Sequence, residues 1–219
     1  MSIDQLYKQS CFQESDINEH LPTLYNYGLE CESICEFGVR DTANSTKAFV
    51  KALVDKKRNV LEQSTVESNK DLSYIGVDIV PCRVDYIQQT CKEYNINYTF
   101  IVGDSAKVFI PEVDLLFIDS WHVYGHLKRE LSKHHMNVKK YIIMHDTTID
   151  GEDGEYMRNK ILNQDVYNKI RETGYTFEEI TKGLWPAIEE FLETNTDWKI
   201  KHRYTNNNGL TVLERVTTS

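Results

Sequence analysis

Five short apolar runs in this chain each close on a carboxylate: Ile34-Cys35-Glu36, Tyr74-Ile75-Gly76-Val77-Asp78, Phe100-Ile101-Val102-Gly103-Asp104, Leu115-Leu116-Phe117-Ile118-Asp119 and Ile142-Ile143-Met144-His145-Asp146. Set side by side, such acids could hold ribose hydroxyls, an amino group, a metal ion or a reacting proton. Two of them have histidines nearby, in Asp119-Ser120-Trp121-His122 and in His145-Asp146-Thr147. Imidazole and carboxylate can ligate the same divalent ion, and histidine shifts the preference from magnesium toward manganese, zinc or iron. His126, His134 and His135 read as a solvated helix face, and Trp121 as a substrate wall or as core packing.

The elements that must position these residues follow from the same runs. Stretches of β-branched and aromatic residues without polar alternation suit strands buried on both faces. Five of them, separated by helical patterns, predict one parallel sheet. Strands are expected over 33–39, 73–80, 98–104, 113–120 and 140–147, and helices over 44–54, 81–94, 124–136, 156–174 and 185–193. Pro81 suits the first turn of its helix. Two more strands, 198–204 and 210–216, flank Thr205-Asn206-Asn207-Asn208-Gly209, whose Asn-Gly pair signals a hairpin. In an open α/β sheet ligands bind beyond the carboxyl ends of the strands, which places the five acids along one cleft.

A chain of 219 residues, 40% hydrophobic, suits one domain over 1–219. Within it, 1–30 reads as a helical lead-in broken at Leu21-Pro22, 57–70 as a polar surface insertion, and the acidic stretch 148–156 as a candidate lid. The net charge of −9 argues against a grip on nucleic acid or on an anionic membrane. No apolar stretch approaches a membrane span, and the start shows no basic region followed by an apolar core, so a cytoplasmic protein is expected. The five cysteines, Cys11, Cys31, Cys35, Cys82 and Cys91, are odd in number and fit no zinc spacing, which favours reduced thiols.

Five parallel strands followed by an antiparallel hairpin is an order that plain dinucleotide dehydrogenases lack. The segment 36–46, Glu36-Phe37-Gly38-Val39-Arg40-Asp41-Thr42-Ala43-Asn44-Ser45-Thr46, resembles the first motif of class I methyltransferases, which use S-adenosylmethionine. The motif's second and third glycines are absent, and a Gly-x-Gly-x-x-Gly turn for a nicotinamide cofactor is absent too. The blocks 117–133, 140–147 and 183–192 are similar to the same group, whose relatives include metal-dependent sugar O-methyltransferases; the likeness runs from about Asn18 onward.

The resemblance implies a doubly wound, Rossmann-like, seven-stranded α/β sheet with five or more parallel strands and a C-terminal antiparallel hairpin. It assigns Glu36 to the cofactor's ammonium, Gly38 and Arg40 to its close approach, Ser45 and Thr46 to a helix cap turned toward its carboxylate, and Asp78 to its ribose. Ile79, Asp104 and Ser105 would meet the adenine. Asp119 matches the metal-binding aspartate of catechol-type O-methyltransferases, and His122 the position of their general base, where the family has lysine. Histidine accepts protons well near neutral pH, with an unperturbed pKa of about 6.5. His145-Asp146 corresponds to the pair that completes the metal site with Asp119, for magnesium, manganese or zinc. The block 183–192 is expected over the cleft mouth.

The reading that follows is a methyltransferase acting on a hydroxyl of a sugar or glycan, as a homodimer or alongside a glycosyltransferase. Two rivals remain: a nucleotide- or glycan-binding module without turnover, and a metal-dependent hydrolase or hydroxylase built on Asp119, His145 and Asp146.

Overall fold

The computed structural model describes residues 1–63, 71–161 and 163–216. Helix α1 (Ile3–Phe12) opens on a capping box: the Gln5 amide donates to Ser2 Oγ, and the Ser2 amide to Gln5 Oε1. A 3₁₀ turn (Asn18–His20) leads into α2 (Leu21–Leu29), with Pro22 in the first turn, where no backbone N–H is needed. Then come β1 (Ser33–Phe37), α3 (Asn44–Gln63), β2 (Ser73–Asp78), α4 (Asp85–Glu93), β3 (Asn97–Val102), β4 (Val113–Ile118), α5 (Tyr124–His134) and β5 (Val138–His145). Four helices, α6 (Glu155–Arg158), α7 (Asn163–Thr173), α8 (Phe177–Thr181) and α9 (Trp185–Thr194), precede the strands β6 (Trp198–Tyr204) and β7 (Leu210–Arg215).

All seven strands form one sheet in the order β3-β2-β1-β4-β5-β7-β6. The first five run parallel; β7 pairs antiparallel with β5 and with β6. The doubly wound sheet and terminal hairpin expected from the sequence are therefore both present. Alternate residues of each inner strand face opposite layers. Ile34, Tyr74, Leu115, Phe117 and Ile143 pack with α2, α3 and α4, while Cys35, Phe37, Leu116, Ile118 and Met144 pack with α5 and α9. β4 is buried at all six positions, which explains its lack of polar alternation. β3, at the sheet edge, is half exposed.

Several boundaries differ from the sequence expectation. Helix α3 does not stop at Val54 but runs to Gln63, because Lys56, Lys57 and Arg58 are good helix formers. The expected surface insertion is thus helical over 57–63, and 64–70 lies outside the described residues. Pro81 stands before α4 rather than in its first turn. The helix expected over 156–174 is two, α6 and α7, parted after Lys160 adopts a left-handed φ of 52°. Helix α9 is a core layer, with Ala187, Ile188 and Phe191 buried against the sheet, so the block 183–192 is not a cover over the cleft. Cys11, Cys31, Cys35, Cys82 and Cys91 are free thiols. Among the described residues no helix is long and apolar enough to cross a membrane.

Candidate active site

Strand register brings the expected site residues to one edge. Phe37 pairs with Val77 and Ile118, Asp78 with Val102, and Ile118 with Met144, so the residues just beyond these strands share a line. There a cavity of about 480 Å³ opens, lined by Gly38, Arg40, Asp78, Ile79, Asp104, Ser105 and Asp119 among others. That volume suits a cofactor-sized ligand. Gly38 has a φ of +89°, and a Cβ there would lie 2.0 Å from the Asp119 carbonyl oxygen. Only glycine allows the β1 loop to cross the end of β4 this closely.

Asp78 holds the loop edge: Oδ2 accepts from the Arg40 amide at 2.9 Å and Oδ1 from the Val80 amide at 3.1 Å. Ile79 is 68% exposed beside it and offers an apolar edge to a flat ring. Asp104 Oδ2 lies 2.9 Å from Lys107 Nζ, and Oδ1 accepts from the Ala106 amide. Burial works to raise the Asp104 carboxyl, but the Lys107 contact and the neighbouring donors hold it below its ordinary range.

Glu36, Ser45 and Thr46 are not in this cavity. Glu36 is fully buried and turned inward, accepting hydrogen bonds from Ser45 Oγ, Tyr74 Oη and, at 2.7 Å, Thr46 Oγ1. With both oxygens occupied behind the loop, it does not meet a cofactor ammonium. The Ser45 and Thr46 hydroxyls likewise point at Glu36 rather than capping toward a ligand. Burial, only partly offset by these donors, pushes the Glu36 carboxyl up to about 7.

The other half of the cleft is a buried cluster of acids and imidazoles. His122 Nε2 lies 3.2 Å from Asp119 Oδ1 and 3.0 Å from Asp146 Oδ2, and its Nδ1 lies 3.1 Å from Asp150 Oδ2. His145 Nδ1 lies 3.4 Å from Asp119 Oδ1 and 3.3 Å from Asp146 Oδ2. His145 Nε2 lies 3.1 Å from the Asp16 carbonyl and 3.3 Å from that of Asn207. Burial disfavours the charged imidazoles, yet Asp119 and its neighbouring carboxylates outweigh it and hold both histidines well above their ordinary range. For Asp119, burial raises the carboxyl, and the two histidines overcome this and hold it well below its ordinary range. Arg40 adds a cation, Nη2 lying 4.0 Å from Asp119 Oδ1.

The expected metal set, Asp119, His145 and Asp146, therefore does converge: one ligand atom from each lies within 4.8 Å of the others. Its mixed nitrogen and oxygen donors fit a divalent transition ion. The expected role of His122 does not fit. Both of its ring nitrogens face carboxylates, so neither is open to take a proton from a substrate hydroxyl.

Asp150 carried no sign of its own in the sequence. Asp150 sits in the acidic stretch read as a lid, yet it is 0% exposed and gripped by Arg158, Nε–Oδ1 2.5 Å and Nη2–Oδ2 3.2 Å. The backbone around it is fastened to Asp146, Asn208 and α9. Of the stretch 148–156 only Glu155 and Tyr156 line the cavity, together with Lys169, Glu172 and Tyr175 from beyond it. Trp121 stacks on Tyr175 at 5.6 Å and meets Tyr156 edge-on at 6.0 Å. His126 and His134 are buried, contrary to the solvated face expected. His126 Nε2 lies 3.0 Å from Ser105 Oγ and Nδ1 3.1 Å from Tyr175 Oη, while His134 Nε2 lies 2.8 Å from the Ser105 carbonyl.

No protein-family model and no curated protein matches this chain. Solved structures do share its fold, which is that of the class I methyltransferases. One is the Podospora anserina methyltransferase PaMTH1 bound to S-adenosylhomocysteine: 12% identity, TM-score 0.55, covering 97% of this chain and 87% of that one. The O-methyltransferase TomG from Streptomyces achromogenes, in complex with S-adenosylmethionine, is 9% identical with a TM-score of 0.52, covering 97% and 90%. The N-methyltransferase NodS from Bradyrhizobium japonicum is 10% identical with a TM-score of 0.51, covering 92% and 97%.

Proposed function

We propose that this protein is an S-adenosylmethionine-dependent O-methyltransferase whose acceptor is a hydroxyl of a sugar or glycan. One observation carries the reading: Asp119 belongs both to the wall of the 480 Å³ cavity and to the buried acid–imidazole cluster. Cofactor and reaction chemistry would therefore meet at a single side chain. Asp78 accepts from the ribose hydroxyls, Ile79 lies along the adenine, and Asp104 and Ser105 receive its polar edge. Gly38 lets the loop approach the cofactor, and Arg40 supplies the cation nearest its carboxylate. These assignments are supported by the shared fold and by the place of each residue on the cavity wall.

On the reaction side, Asp119, His145 and Asp146 would hold a divalent cation, which when bound lowers the pKa of an acceptor hydroxyl. Methyl transfer itself needs the hydroxyl in line with the sulfonium, so the chain's main contribution is alignment. The cavity lining supports a sugar: Trp121, Tyr156 and Tyr175 offer apolar planes beside the polar Glu155, Lys169 and Glu172, matching the two-sided character of a pyranose. A metal-dependent hydrolase or hydroxylase is the second reading, favoured by the histidine-rich cluster. Calorimetric titration with S-adenosylhomocysteine separates them, because absence of binding at millimolar ligand sinks the methyltransferase. A methyl-transfer screen over deoxysugars and diols, with and without EDTA, then tests the acceptor and the cation.

A further inference from the structure

We infer that His122 is a fourth metal ligand and that Asp150 is the carboxylate that orients it, giving a centre of two histidines and two aspartates. The inference deepens the metal part of the reading above but can be tested without any methyl donor. Four atoms face one another: Asp119 Oδ1, His122 Nε2, His145 Nδ1 and Asp146 Oδ2. Taken in turn around the ring Asp119 Oδ1, His122 Nε2, Asp146 Oδ2 and His145 Nδ1, neighbouring atoms lie 3.2, 3.0, 3.3 and 3.4 Å apart. Ligands about 2.0–2.2 Å from a shared ion stand roughly 2.8–3.6 Å apart along the edges of a tetrahedron or octahedron.

The outward nitrogens carry the argument further. His145 Nε2 faces the backbone carbonyls of Asp16 and Asn207, which can only accept, so this nitrogen donates and Nδ1 is the one turned to the centre. His122 is arranged the same way in reverse. Its Nδ1 faces Asp150 Oδ2, and Nε2 turns to the same centre. Metal-bound histidines almost always donate their second N–H to a carboxylate or carbonyl, which fixes the ring and the tautomer. Here one histidine has the carboxylate and the other the carbonyls.

Charge fits the same assignment. Arg158 lies against both oxygens of Asp150 and balances it, so Asp150 serves as an orienting group rather than a ligand. Arg40, 3.5 Å from Asp16 and 4.0 Å from Asp119, stands at the rim, and the carboxylates that face the centre, Asp119 and Asp146, are those one divalent ion would neutralise between two neutral imidazoles. Asp146 is also held at a φ of +56°, a costly backbone for a residue with a Cβ, and its carboxylate lies among the two histidines. Two nitrogen donors favour manganese, iron or zinc over magnesium.

The test starts from the full chain stripped of metal by a chelator. Calorimetry with Zn(II) and absorbance with Co(II) should show one ion per chain. His122→Ala should weaken Zn(II) binding by about 100-fold or more, with a changed Co(II) spectrum as one nitrogen donor is lost. Asp150→Ala should weaken it by about 10–100-fold. Asp150→Asn, whose amide oxygen can still accept from Nδ1–H, should recover much of that loss, which a merely structural role would not produce. Asp104→Asn should leave metal binding unchanged. Circular dichroism on each variant checks that it is folded. Wild-type affinity and an unaltered Co(II) spectrum in folded His122→Ala would overturn the inference, as would no binding at millimolar metal. S-adenosylhomocysteine binding by the same metal-free protein reports on the methyltransferase reading alone, so the two can fail separately.

Discussion

The two halves of the cleft are built differently, although both are made of acids at strand ends. Beyond β2 and β3, the acids Asp78 and Asp104 stand apart, and backbone amides or a single lysine satisfy them. Beyond β4 and β5, Asp119, Asp146 and Asp150 crowd around two imidazoles and are almost fully buried. The first arrangement leaves acceptors open to a polar ligand that arrives with its own donors. The second is too dense in charge to serve as a simple docking surface and suits a cation. Position at a strand end thus says where a carboxylate sits, and its neighbours decide what it can hold.

This contrast can be broken most directly at Asp119, where the halves meet. Asp119→Asn should lower methyl transfer by more than about 1,000-fold, with S-adenosylhomocysteine affinity by calorimetry nearly unchanged. A parallel loss of both would merge the halves into one site. Gly38→Ala comes next. With a left-handed φ and a backbone oxygen in the way, it should cost about 3 kcal/mol in thermal or urea unfolding and impair both halves together. A stable variant would show that the β1 loop can retreat from β4.

Glu36 offers a smaller, pH-dependent test of whether it belongs to either half. Its folded carboxyl is raised from an ordinary 4.5 to about 7, so the protonated form is favoured in the folded state. The stability this contributes is complete below about pH 4.5 and is lost as pH rises through about 7, worth at most about 3 kcal/mol. Relative to Glu36→Gln, the parent should therefore lose stability across that window in urea melts. Cofactor affinity should not follow, whereas a matching change in affinity would return Glu36 to the cleft. The smallest effect is expected from Asp78→Ala, which removes a charged acceptor worth about 1.5–3 kcal/mol. S-adenosylhomocysteine should bind about 10–100-fold more weakly, with Zn(II) binding untouched.

The strands were legible because burial on both faces leaves an unmistakable apolar run, and the hairpin because Asn208-Gly209 can take the positive φ its turn needs. Asp78, Asp104, Asp119, His145 and Asp146 were legible as strand-end residues for the same reason. Glu36 misled because a strand-end acid reads alike whether it faces the cleft or turns back. Its direction depends on Tyr74, nearly forty positions away, and on hydroxyls from the first turn of α3. Asp150 was illegible because a polar loop carries no period, and only Arg158 and His122 draw it inside. His122 was legible as a residue just beyond β4, but its surroundings set what its nitrogens can do, and two of its three carboxylates, Asp146 and Asp150, come from the loop after β5.

The contact of His145 Nε2 with the carbonyls of Asp16 and Asn207 has a consequence for how the protein is made. One nitrogen joins the segment after α1 to the turn between β6 and β7, separated by most of the chain. During synthesis the first five strands can emerge and pair while this clamp still lacks its second jaw. The imidazole gains its second carbonyl only when residue 207 has left the ribosome, so the orientation of His145 is completed after β6 has been made and not when β5 first pairs.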